Sequence, residues 1–202
     1  MHHKDGDRIC GKEYTAEELA ARLKKDGRFL EMNGGGITFT GGEPLSQPEF
    51  LADVLTRLEP MHRAIETSGY APEKVFKRIL QLTDLVLFDL KAMDPGVHKR
   101  YISVDNTLIL KNFETLKQSG RPFVVRLPMI PGVNDNPEHM LQVKKTVEGA
   151  RNLIRVEMLR YHKTAGAKYQ MIDRKYEPQF DVNADIHIYN VFENTNIKTL
   201  LL

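Results

Sequence analysis

The sequence reads as an α/β protein built on a parallel sheet, and three observations lead there. Strand-like and helix-like stretches alternate along most of the chain, the order that winds a parallel sheet through right-handed crossovers. Polar residues gather at the C-terminal ends of five successive strand-like stretches: Gly41-Gly42-Glu43, Glu66-Thr67-Ser68, Asp89 with Lys91, Arg126, and His162. In α/β barrels that rim carries the chemistry, because loops after different strands converge on it. The third observation is the stretch Gly34-Gly35-Gly36-Ile37-Thr38-Phe39-Thr40-Gly41-Gly42-Glu43-Pro44-Leu45-Ser46-Gln47, a strand, a glycine turn and the start of a helix. Such a unit cradles ligands, since paired glycines turn sharply and bring the backbone close without a Cβ in the way.

The elements are taken in chain order. Residues 1–13 show no periodicity and read as a ragged start, ahead of one domain over 14–202. His2 and His3 there could bind metal, though a solvated terminus is the better reading. Thr15-Ala16-Glu17-Glu18 has capping-box spacing, and Leu19, Leu23 and Phe29 continue it as an amphipathic helix. The glycine-rich strand leads into a helix over 49–59 with Phe50, Leu51, Val54, Leu55 and Leu58 facing inward. A strand over 63–69 precedes a helix over 72–82, opened by Pro72 in its first turn. Leu85 to Lys91 is a buried strand that gains charge only at its end. Helices over 94–103 and 108–119 lead to a strand at 123–128 and a turn-rich loop containing Pro131-Gly132 and Asn134-Asp135. A helix over 137–149 and a strand over 155–162 come next, then a weak helix over 183–194 and a last apolar run from Ile197 to Leu202.

Composition narrows the function. A chain of 202 residues can bury one sizeable core. With 29 Lys+Arg against 27 Asp+Glu there is no bulk attraction to nucleic acid or to an anionic membrane. No apolar run reaches the length of a membrane span, and there is no internal repeat. The single cysteine excludes a disulfide framework within the chain and fits a reducing cytoplasm.

The glycine turn could hold a phosphate, but Glu43 puts a carboxylate where the phosphate would sit and Pro44 removes a backbone donor. Neither the dinucleotide fingerprint nor the Lys-Ser/Thr ending of a P-loop is present. A turn with free carbonyls and a glutamate suits a cation, such as the ammonium of an amino-acid moiety. Each residue also has a plain structural reading. Glu43 taken alone reads better as a cap of the helix after it. Asp89 and Lys91, two apart on a strand, share a face and could neutralise each other. Arg126 could be the structural partner of Glu66, and a lone histidine such as His162 is more often a satisfied hydrogen-bonder. Met32, Met93 and Met129 read as core or rim filler, and Arg160 to Lys168 as a solvated basic loop.

Gly35-Gly36-Ile37-Thr38-Phe39-Thr40-Gly41-Gly42-Glu43-Pro44-Leu45-Ser46-Gln47 resembles the S-adenosylmethionine motif of the radical SAM enzymes. The resemblance is strongest to activating enzymes of glycyl-radical enzymes, of the pyruvate formate-lyase activating type. It runs from about Gly11 to about Tyr169 and takes in Glu66 to Tyr70, Asp89-Leu90-Lys91 with Met93-Asp94, Val104-Asp105-Asn106, Arg126 to Asp135, and Tyr161-His162 with Lys168-Tyr169. It implies an incomplete, TIM-like (β/α) barrel that binds S-adenosylmethionine. Gly41, Gly42 and Glu43 would hold the methionyl group, with Ser68 at the same rim. Asp89, Lys91 and Arg126 would line the ribose and carboxylate region, and His162 the ribose and adenine side. Glu66, Thr67 and Asp89 would form a monovalent cation site. The implied partners are a glycyl-radical enzyme as protein substrate and a flavodoxin- or ferredoxin-type electron donor.

The same family carries a [4Fe-4S] cluster on Cys-x3-Cys-x2-Cys in the loop after the first strand, and this sequence has no such motif. Cys10 alone cannot ligate a cubane cluster. The expectation is therefore a fragment or shortened gene product without the first strand and the cluster loop. It would be inactive alone, and open to self-association through the exposed barrel edge at 37–40. A non-catalytic docking module for a glycyl-radical enzyme, and another branch such as an anaerobic ribonucleotide reductase activator, are the alternatives.

Overall fold

A computed structural model of the chain describes residues 12–161 and 175–202. His2, His3, Cys10, Lys168, Tyr169 and the site candidate His162 lie outside the described residues. Thr15 caps α1 (Ala16–Lys24) with both halves of the capping box in place. The helix then breaks at Lys25-Asp26 and restarts as α2 (Gly27–Met32). That break resets the periodicity, so Phe29 does not extend the Leu19–Leu23 stripe, and Leu30 packs inward instead. Phe29 and Met32 are exposed, contrary to their expected core or rim positions.

Six strands form one parallel sheet in sequence order: β1 (Ile37–Phe39), β2 (Arg63–Thr67), β3 (Leu85–Asp89), β4 (Phe123–Met129), β5 (Leu153–Arg160) and β6 (Thr199–Leu201). Between them run α3 (Pro48–Arg57), α4 (Glu73–Gln81), α5 (Pro95–Ile102), α6 (Thr107–Gln118) and α7 (Pro137–Val147). Pro72 stands at the N-cap of α4, one residue before the expected first-turn position.

Side-chain alternation divides the sheet. Ile65, Val86, Phe88, Val125, Leu127, Val156 and Met158 face one way and join α3, α4, α6 and α7 in a single core cluster. A chain of aromatic contacts crosses it, with ring centroids 6.1 Å apart for Phe76–Phe88, 5.2 Å for Phe88–Phe113 and 5.6 Å for Phe113–Phe123. A doubly wound sheet would place helices on both faces. Here they supply one face, and the sheet is an incomplete (β/α) barrel with β1 and β6 at its edges among the described residues.

The expected helix over 183–194 does not form; that stretch is irregular, with a turn at 182–183 and another over 191–194. Asn183, Asp185, His187, Asn190 and Asn194 favour turns over helix interiors. The segment is held by tertiary contacts instead. Phe192 is buried in the core cluster, with Ile186, Tyr189, Val191 and Ile197 packed against it. Asp135 accepts hydrogen bonds from the backbone N–H of His187 at 3.0 Å and meets its ring Nδ1 at 3.2 Å. The final apolar run becomes β6, parallel to β5.

Candidate functional site

The sheet face that the helices leave uncovered is polar. Cross-strand register places Asp89 beside Arg126 and Arg126 beside Glu157 on the same face, with Glu66 and Arg155 at alternate positions of β2 and β5. Arg126 sits at the centre of this row. Its Nη1 lies 2.5 Å from Glu66 Oε2, and its Nε lies 3.7 Å from Glu157 Oε2. Glu157 is in turn paired with Arg155 at 2.6 Å. The structural partnership of Arg126 with Glu66 is therefore present. Asp89 and Lys91, by contrast, form no ion pair within 4 Å.

Two polar atoms of this row are buried without a hydrogen-bond partner, Asp89 Oδ1 and Arg126 Nε. Buried polar atoms are ordinarily satisfied, so an orphan acceptor beside an orphan donor needs an explanation. Burial drives the Asp89 carboxyl up to about 6; Glu66 and Glu43 push the same way, while Lys91 and Arg126 pull it down. Burial likewise lowers His139 to about 4.

The glycine turn lies at the C-terminal end of β1. Gly41 has φ +132°, a conformation that residues with a Cβ rarely adopt. A Cβ at Gly42 would meet nothing within 4 Å, so this part of the turn opens onto free space. Glu43 does act as a cap, for a single 3₁₀ turn over Pro44–Ser46, by accepting from Leu45 N–H at 3.1 Å. Its carboxylate also accepts from Thr67 Oγ1 at 2.6 Å, from Ser68 N–H at 3.0 Å and from Ser68 Oγ at 2.7 Å. The glutamate thus fastens the turn after β1 to the end of β2, and brings Gly41, Gly42, Glu43 and Ser68 into one place.

Of Glu66, Thr67 and Asp89, the two carboxylates share the polar face, and Glu66 acts on Asp89 through its charge. Alternation sends Thr67 to the face opposite Glu66, and its hydroxyl is engaged by Glu43. Among the described residues, no cluster of three or more His, Cys, Asp or Glu side chains is placed to hold a metal ion. Cavities of about 460 Å³ beside α4 and α6 and of about 340 Å³ at the N-terminal end of β5 both lie away from the rim.

Glu157 and Arg155 were missed by the sequence reading. Their signal was there, as charges at alternate positions of an otherwise apolar strand. Asn112 and His139 were missed for a different reason, since nothing local distinguishes a buried polar side chain from a surface one; Asn106 and Asn134 fall inside the quoted motifs, but the backbone carbonyls they hold are tertiary partners that no local pattern reveals.

Residues 2–143 match the family model described as the Radical SAM superfamily. The chain is 37% identical over 174 residues to the trans-4-hydroxy-L-proline dehydratase activating enzyme of Clostridioides difficile, covering 84% of this chain and 57% of that protein. It is 40% identical over 173 residues to the 4-hydroxyphenylacetate decarboxylase activating enzyme of Clostridium scatologenes, covering 83% and 54%. The chain therefore spans little more than half the length of these relatives. Among solved structures it is similar to a domain of pyruvate-formate lyase-activating enzyme from Bacteroides vulgatus, with a TM-score of 0.66 and 29% identity over 84% of this chain and 99% of that one. No helix among the described residues is long and apolar enough to cross a membrane.

Proposed function

The chain belongs to the radical SAM superfamily, and we propose that it is the S-adenosylmethionine-binding part of an activating enzyme whose protein substrate is a glycyl-radical enzyme. One observation carries this reading: Asp89 Oδ1 and Arg126 Nε are buried, without a hydrogen-bond partner and adjacent in register, on the uncovered sheet face. A ligand with hydroxyl donors and a carboxylate acceptor satisfies both atoms. The superfamily match and the similarity to two activating enzymes support the same identity for that ligand.

The open side of Gly41-Gly42 would take the methionyl backbone, with Ser68 at its margin. Asp89 would accept hydrogen bonds from the ribose hydroxyls. Lys91 and Arg126 would meet the carboxylate, and His162 would lie toward the adenine. Glu43 has its carboxylate oxygens engaged by groups of this chain, so its part is to shape the turn rather than to contact the ligand. When bound, S-adenosylmethionine supplies a sulfonium whose C–S bond can be cleaved reductively. The thiolates that would ligate an electron-delivering cluster are not available from a sequence with one cysteine. The role assigned to these residues is accordingly binding and orientation.

Calorimetric or NMR titration of the chain with S-adenosylmethionine tests the reading. Hydrogen bonds and a few charges, offset by the freedom the ligand loses, give an expected Kd no tighter than roughly the high-micromolar range. Gly42→Val fills the open side of the turn and should abolish binding, while Asp89→Asn should weaken it less. Binding by Gly42→Val equal to that of the wild type would place the site elsewhere.

A further inference from the structure

We propose that Asn134 and Asn106 are positioning residues that fix the rim loop 90–93 and thereby set Lys91 in the ligand site; this rests on the S-adenosylmethionine reading above. The loop comes after β3 and carries Lys91 two residues beyond Asp89. Four polar backbone groups along it, three of them consecutive carbonyls, are held by buried side chains from elsewhere in the chain. Asn134, from the loop after β4, donates to the carbonyls of Lys91 at 2.5 Å and Pro128 at 2.8 Å, and accepts from Ile130 N–H at 2.7 Å. Asn106 donates to the carbonyls of Ala92 at 3.0 Å and Met93 at 2.7 Å. His139 Nδ1 accepts from Met93 N–H at 3.3 Å.

Asn106 forgoes its ordinary role to do this. It is the N-cap of α6, where an asparagine oxygen normally accepts a hydrogen bond from the first turn. Its side chain makes no such bond, and Asp105 receives Thr107 N–H instead. Asn134 and Asn106 are 1% and 3% exposed, so both amides act inside the protein, and neither needs to touch a ligand to matter. A flexible lysine on an unanchored loop would spread its ammonium over many positions. Fixing three consecutive residues of the backbone removes that freedom before binding, which is how a supporting shell holds a binding group in place.

The test uses NMR titration with S-adenosylmethionine on the 202-residue chain. Asn134→Ala and Asn106→Ala should each weaken binding about tenfold, or about 1.4 kcal/mol, and shift the amide resonances of Lys91 and Ala92. Asn152→Ala serves as the control, because Asn152 holds the carbonyls of Leu116 and Arg121 at the opposite end of the sheet. It should change neither reading. In a double-mutant cycle, Asn134→Ala should cost nothing further once Lys91→Ala is present. A full additive loss in that background, or wild-type affinity in a folded Asn134→Ala protein, overturns the proposal while leaving the site intact. Wild-type affinity in both Lys91→Ala and Asp89→Asn overturns the site reading and this inference with it. If neither asparagine variant folds, amide exchange in the wild type decides: Met93 should exchange as slowly as Leu90 in the neighbouring ladder, and exchange at the rate of an open loop overturns the clamp.

Discussion

The two faces of the sheet are made by the same strands and obey opposite rules. On the helix-covered face Ile65, Val86, Phe88, Phe123, Val125 and Val156 are fully buried and apolar. On the other face the same strands present Glu66, Asp89, Arg126 and Glu157, with two buried polar atoms left without a hydrogen bond. The covered face supplies the stability. The uncovered face costs stability, because desolvated charges and orphan polar atoms are unfavourable unless something pairs with them. Such a row on one side of a well-packed sheet is what the proposed S-adenosylmethionine site requires of that side.

The largest effect should come from the covered face. Phe88 is fully buried and contacts both Phe76 and Phe113, so Phe88→Ala should cost about 3–5 kcal/mol in denaturant unfolding. Part of that loss reaches the rim, because the Phe88 ring lies 2.5 Å from where a Cβ on Gly69 would stand. A loss below about 1 kcal/mol, on the same cavity argument, would mean that the helix face is not where stability resides.

The join between the two faces comes next. Glu43 accepts four hydrogen bonds, two of them from Ser68 and one from Thr67, which is 2% exposed. Glu43→Ala leaves those donors without their anion and should destabilise by about 2–4 kcal/mol. It should also loosen the turn, visible as faster amide exchange at Leu45 and Ser68. Unchanged exchange there would show that the turn after β1 holds itself.

The covered face was legible in the sequence and the rim only partly so. Apolar runs bounded by turns mark strands wherever they occur, and all five expected strands are present within a few residues. The ends of β2 and β3 were legible because Glu66 and Asp89 interrupt apolar runs, whereas Arg126, expected at a strand end, stands in the middle of β4 because that strand continues to Met129. The partners were not. That Glu43 would be consumed by Thr67 and Ser68 depends on residues 24 and 25 positions away. That Asn106 would abandon capping for a loop carbonyl depends on a tertiary approach of the Met93 segment. The helix expected over 183–194 failed for the same kind of reason, since Phe192 and the Asp135–His187 contact outweigh a weak local preference.

The smallest effect is also the one that separates the faces by sign. The Asp89 carboxyl is raised from 3.8 to about 6, chiefly by burial, so the folded protein holds this proton to higher pH than the unfolded chain does. Stability therefore falls as pH rises from about 4 to about 6, by on the order of 1–3 kcal/mol for a shift of roughly two units. Above that window the folded state carries the full cost of an ionised, largely buried carboxylate. Asp89→Asn removes the cost, so the variant should be more stable than the wild type at pH 7 and lose that advantage near pH 4. It should bind S-adenosylmethionine less well at pH 7, pairing a gain in stability with a loss of function. Phe88→Ala should show neither the sign change nor the pH dependence. Paired denaturant titrations of wild type and Asp89→Asn at pH 4 and pH 7 measure the difference directly. An Asp89→Asn protein less stable than wild type at pH 7 would show that the carboxylate is already well paired in the folded chain.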